Sequence, residues 1–138
     1  MRGFHLLVEL ARRATDECQG SLAHISRAKA DADAALTLHE ERIARESRIA
    51  TDDLAIIGSL DAWSNHTAQT RALLRKRQAE LDRSESAARD ALRSAFADLK
   101  RLETARDTAT RLERIAALRR ADGEAEEQYA SARSVAAL

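Results

Sequence analysis

Apolar side chains recur three and four residues apart from Phe4 onward, and the pattern breaks once, between Leu54 and His66. That spacing lays a stripe along one face of a helix. The chain has no proline and only four glycines in 138 residues, so it lacks the residues that build the loops of an ordinary globular domain. Its four aromatic rings are Phe4, Trp63, Phe96 and Tyr129. So few large side chains do not fill a thick core. Alanine, leucine, arginine, glutamate and aspartate dominate, as in long helices that share a narrow seam. The sequence therefore predicts an all-α fold, a long antiparallel two-helix coiled-coil hairpin forming a single domain.

The break is where the chain turns back. Gly58 is suited to the left-handed conformation that ends a helix, and Ser59, Asp61, Ser64 and Asn65 are all able to cap the next one. The expected arms run from about residue 3 to 57 and from about 62 to 136, with the bend at about 58–61. The first arm would be roughly 80 Å long at the helical rise of ~1.5 Å per residue.

The expected seam of the first arm is Phe4, Leu7, Ala11, Ala14, Cys18, Leu22, Ile25, Ala28 or Lys29, Ala32, Leu36, His39, Ile43 and Ala50. The four-residue steps around Cys18 would make a stutter, a local unwinding of the supercoil. Glu46 occupies a position where an apolar residue is expected. In the second arm the stripe is Leu74, Leu81, Ala88, Leu92, Ala95, Leu99, Leu102, Ala105, Ala109, Leu112 and Ala116, widened by Phe96 and Ile115. Its steps 99–102–105 would overwind the supercoil. A bend near 58–60 makes facing residue numbers add to roughly 118–120. Ala28, Ala32 and Ala35 would then face Ala87, Ala88 and Ala91, and Leu36 would meet Leu81. The last twenty residues or so overhang, which predicts fraying unless a partner covers them.

Net charge is zero but unevenly spread. Residues 1–70 carry −3, residues 71–120 carry +6 and residues 121–138 carry −3. The basic segment suits an acidic partner surface, although most of its charges read as a solvated helix face. Without interleaved aromatic residues it does not read as a nucleic-acid interface. Cys18 is the single cysteine, so no disulfide forms within the chain. The apolar run at the N-terminus is broken by His5 and Glu9, too short and polar for a signal peptide or a membrane span. A cytoplasmic protein is expected, peripheral to a membrane at most.

Catalytic and metal motifs are weak. His39-Glu40 is followed by Ile43 where a zinc-binding helix places its second histidine, and His5, His24, His39 and His66 share no i,i+3 or i,i+4 spacing. Ser64 and Cys18 lack a positioned base, and no glycine-rich phosphate loop is present. A two-helix seam also offers no enclosed pocket to shift a carboxylate pKa. No enzymatic activity, cofactor or metal is expected. Trp63 has two readings of similar weight: a plug at the open end of the seam, or an exposed anchor for a partner.

The run Ala95-Phe96-Ala97-Asp98-Leu99-Lys100-Arg101-Leu102-Glu103 looks like the Ala-Phe-x-x-Leu-Lys-x-x-Glu segment of FliJ-like sequences. Together with the length, the phenylalanine near the N-terminus, the single bend before mid-chain and the acidic tail at Glu126-Glu127, it makes the chain resemble the FliJ family of flagellar type III export proteins. The resemblance implies a non-enzymatic stalk. Its paired ends would enter and stimulate the hexameric export ATPase, and the rod would also contact the export gate protein, with links to export chaperones. At the ring end the residues would be Phe4, Arg12, Arg13, Arg111, Arg114, Arg119 and Arg120. Toward the gate, on the bend side, they would be Trp63, Leu74 and Leu81. The alternative is an adaptor or escort-chaperone coiled coil of another secretion system or assembly, dimerising through the overhanging helix.

Overall fold

The computed structural model describes residues 2–52 and 59–138. Two helices account for them: α1, Arg2–Asp52, and α2, Leu60–Ala136. They pack antiparallel as a two-helix coiled-coil hairpin, and no strand is present among the described residues. Helix α2 begins two residues earlier than expected, with Ser59 just before it and Asp61 in its first turn, where a carboxylate favours the positive end of the helix dipole. Gly58, expected to end the first helix, lies outside the described residues. At the other end Arg133 sits in the last turn of α2, and the Ala137 amide closes the helix onto the Arg133 carbonyl at 3.1 Å.

Along α1 the buried and half-buried side chains form a seam, Phe4, Val8, Ala11, Thr15, Cys18, Leu22, Ile25, Lys29, Ala32, Leu36, His39, Ile43, Glu46 and Ala50, with Ala28, Ala35 and Glu40 half-buried beside it. Every step of the seam alternates four and three. This corrects the expected seam at two places: Val8 is 1% exposed and Leu7 47%, while Thr15 is buried and Ala14 exposed. No stutter is needed at Cys18. A seam in unbroken heptads keeps facing its partner, whereas two successive fours would rotate it away. Phase therefore outranks the larger side chain of Leu7. The buried Thr15 hydroxyl is satisfied by donating to the Ala11 carbonyl one turn back, at 2.9 Å.

The chain forms two units, Met1–Thr15 with Ala95–Leu138, and Asp16–Ser94. In the second of these, α1 and α2 are locked in register by polar pairs. Lys29 Nζ meets Asp82 Oδ1 at 3.0 Å, and Glu40 takes a two-pronged contact from Arg71, at 2.7 and 2.9 Å. Gln78 donates to Asp33 at 2.6 Å, and the Ser26 hydroxyl faces Glu85 at 3.5 Å. In all four pairs the residue numbers add to 111. The register is thus about two helical turns from the expected one. The reason is where the helices are bounded: α1 ends at Asp52 and α2 begins at Leu60, both earlier than expected. Consequently Ala87 and Ala91, expected to face alanines of α1, are exposed. Along α2, Thr70, Leu74 and Gln78 are half-buried four residues apart, so the irregular step lies here. Both Thr70 and Arg71 flank the seam at that step, and Arg71 uses the position to reach Glu40.

In the unit Met1–Thr15 with Ala95–Leu138, Val8, Thr15 and Leu99 are buried. Half-buried positions of α2 continue in pairs, Leu102 with Glu103, Ala105 with Arg106 and Ala109 with Thr110, so the steps 99–102–106–109 are regular and the expected overwinding is absent. Phe96, expected on the stripe, is exposed, with Lys100 Nζ 5.7 Å from its ring centre. Leu112 and Ala116, also expected in the seam, are exposed as well. From Arg111 to Leu138 only Gly123 is less than exposed, so the unpaired part of α2 begins several residues earlier than expected.

Truncation separates the two phases of the N-terminal seam. Val8→Ala should destabilise the chain by ~1–3 kcal/mol and Leu81→Ala by ~2–4 kcal/mol, whereas Leu7→Ala should change stability by less than ~0.5 kcal/mol. Thermal unfolding followed by circular dichroism measures all three.

Candidate partner interface

The N-terminal turns of α1 present two faces. Phe4, Val8 and Ala11 turn toward α2, while Leu6 and Leu10, one turn apart, lie on the opposite face with Leu7 beside them. These three leucines are exposed. Isolated exposed leucines are ordinary; these three stand together on one side of the helix. Arg12 approaches Glu103 at 3.9 Å, and Arg13 is exposed. On α2 of the same unit, Arg111 and Arg114 line a shallow groove with Asp107 and Thr110. Arg111, Arg114, Arg119 and Arg120 are exposed and make no ion pair among the described residues.

Of the ring-end residues, then, Phe4 is a half-buried seam residue and Arg12 is spoken for in part by Glu103. Arg111 and Arg114 share a groove, and Arg119 and Arg120 follow on the unpaired helix. Upstream, basic side chains pair mostly within one turn: Arg93 with Asp90, Arg101 with Asp98, and Lys100 with Glu103. That is the solvated face expected for most of the basic segment.

On the bend side, Trp63 is half-buried and donates its indole N–H to Glu46 Oε2 at 2.6 Å. It lines a cavity of about 230 Å³ with Ile49, Ala50, Ser59 and Leu60. The volume is below the ~300–1,000 Å³ of small-molecule sites. Trp63 plugs the seam, and its N–H explains why a glutamate occupies position 46. His39 is satisfied in the same way: a carbonyl only accepts, so its Nε2 donates to the Thr67 carbonyl at 3.2 Å. Leu74 is half-buried, and Leu81, proposed from the sequence as a gate contact, is 6% exposed and offers a partner no surface. Its place in the seam is the physical correction. The exposed apolar residues here are instead Leu38, Ile49 and Leu73, which periodicity passes over because they lie off the stripe.

Lys29, at a seam position, touches both Asp82 and Glu85. The hydrogen bond to Asp82 and the two negative charges raise its pKa above the ordinary value of 10.5. Among the described residues no group of three or more histidines, cysteines or carboxylates is placed to hold a metal ion, and no helix is long and apolar enough to cross a membrane. The class of protein defined by these features is an antiparallel coiled-coil hairpin with a basic, partly apolar end. Comparison with protein families, curated proteins and solved structures finds no match to this chain.

Two outcomes follow from the polar seam. Trp63→Phe leaves a smaller aromatic ring and removes the donor to Glu46, so it should destabilise the hairpin by ~1–2 kcal/mol, read from denaturant unfolding. A raised lysine pKa means that the Lys29 pairs contribute fully below pH 10.5 and are lost as pH rises through the folded-state value. Lys29→Met should therefore lower Tm at neutral pH, with the gap to the native chain closing above that pH.

Proposed function

We propose that the chain is the stalk of a type III protein export apparatus, a non-enzymatic coiled coil that enters the ring of the hexameric export ATPase, raises its activity and couples it to the export gate. The observation that carries this reading is the end of the hairpin that holds the N-terminal turns. There α1 packs beside residues 95–110, and the unpaired arginines Arg111, Arg114, Arg119 and Arg120 come directly after. Guanidinium groups on a helical end suit acidic loops inside a ring, because each makes several directed hydrogen bonds at fixed charge. The exposed leucines Leu6, Leu7 and Leu10 add apolar contact beside them. The resemblance of Ala95–Glu103 to FliJ-like sequences supports the same reading, as does a hairpin built from helices of unequal length. Such a stalk works in the cytoplasm, peripheral to the inner membrane at most.

A second reading, an adaptor or escort-chaperone coiled coil of another assembly, is favoured by the exposed Leu112, Ile115 and Leu118, which suit an amphipathic client helix. The deciding measurement is ATP hydrolysis by a hexameric type III export ATPase, with and without the chain. Stimulation that is abolished by Arg114→Glu, Arg119→Glu and Arg120→Glu together supports the stalk. No stimulation by the native chain, or stimulation unchanged in the triple variant, overturns the proposed contact.

A further inference from the structure

The stripe of α2 that packs against α1 stops being apolar where α1 stops. Followed past Ala109 in the same phase it reads Glu113, Ala116, Arg120, Gly123 and Glu127. A different stripe begins at that point. Ile115, Leu118, Asp122, Ala125, Tyr129 and Ala132 alternate in steps of three and four, and Ala136 continues the alternation. At 100° per residue this stripe lies about half a turn from the seam. Upstream the same phase reads Arg101, Thr104 and Thr108, so its apolar character is confined to the unpaired part of the helix. Leu118 and Tyr129 are each 65% exposed. Heptads of this length suffice for a coiled coil, but only with a partner.

Charge selects the partner. Residues 111–120 carry Arg111, Arg114, Arg119 and Arg120 against Glu113, a balance of +3. Residues 121–138 carry Asp122, Glu124, Glu126 and Glu127 against Arg133, a balance of −3. The segment is thus basic in its first half and acidic in its second. A uniformly acidic or basic partner would suit one half and be repelled by the other. A parallel second copy would set like charge on like. An antiparallel second copy sets each half against its opposite.

We propose that the unpaired end of α2 docks antiparallel onto the same segment of a second copy of this chain. A two-fold axis between residues 123 and 124 brings Leu118 against Tyr129 of the partner subunit, twice, and Ile115 against Ala132 of the partner subunit. Arg119 and Glu126 lie on one flank of the stripe and pair across the axis, again twice. Asp122, the one charged residue within the stripe, sits near the axis, where a polar position favours a single register over slipped ones. The inference does not rest on the export reading. It does place the dimer on the arginines assigned to the ring, so the two partners would compete for one surface.

The test uses the full chain alone, with Cys18→Ser to remove the native thiol. Sedimentation equilibrium over a concentration series should show monomer and dimer, with the dimer weakened by added salt. Arg114→Glu, Arg119→Glu and Arg120→Glu together make the segment acidic throughout. Glu124→Arg, Glu126→Arg and Glu127→Arg together make it basic throughout. Each triple variant should lose the dimer while the hairpin keeps its cooperative unfolding transition, and mixing the two should restore association. Disulfide trapping reads the direction: a chain with Leu118→Cys should cross-link to one with Tyr129→Cys, and neither to itself. A native chain that stays monomeric, a dimer that survives both triple reversals, or cross-linking of either cysteine variant to itself would overturn the proposal. Because no ATPase is present, failure here leaves the stalk reading untouched, and a silent ATPase leaves the dimer untouched.

Discussion

The hairpin depends on holding two thin helices in one register, with little apolar depth to do it. Among the described residues only Val8, Leu81 and Leu99 are buried apolar side chains. Alanine and leucine stripes of this kind slide easily, since one turn of displacement sets one small side chain against another. The polar pairs of the Asp16–Ser94 unit supply what the apolar seam lacks. Lys29 with Asp82, Glu40 with Arg71 and Asp33 with Gln78 are satisfied together in one alignment and lost together in any other. Each is partly exposed and contributes modestly to stability. Their joint effect is on specificity, because a slipped register would leave charges without partners at the edge of the seam.

The same principle accounts for the seam's unusual members. A lysine, a histidine and a glutamate occupy positions in α1 where a coiled coil ordinarily places aliphatic residues. Each is met from α2: Lys29 by two carboxylates, His39 by the Thr67 carbonyl and Glu46 by the Trp63 indole. Trp63 therefore belongs to the packing of the bend side as much as to its surface. Toward the N-terminus the seam turns drier, with Val8, Leu99 and a threonine whose hydroxyl is bonded within its own helix.

Unequal helix lengths carry the functional consequence. Helix α1 has 51 residues and α2 has 77, so part of the longer helix has no partner in its own chain. An isolated helix of that length holds together only if something covers its apolar side. The unpaired part is therefore the part of the molecule whose chemistry is directed outward, as both its arginines and its separate apolar stripe indicate. The export-stalk reading and the self-docking inference make different uses of that one surface.

Helix content, the division into two arms and the existence of an overhang were all legible in the sequence, because each follows from local properties: propensity, periodicity and the absence of proline. Where the overhang begins was not, since it depends on the register, and the register depends on where the chain reverses. A window in which Gly58, Ser59, Asp61, Ser64 and Asn65 are all competent to turn or cap does not choose among them. The phase at the N-terminus was within reach, as an unbroken alternation of four and three through Val8 and Thr15 is written in the chain; the greater hydrophobicity of Leu7 hid it. The partners of Glu46 and His39 were beyond reach, because they come from residues that only the folded hairpin brings alongside. Local chemistry decided that this chain is two helices, and the pairing of distant side chains decided how they meet.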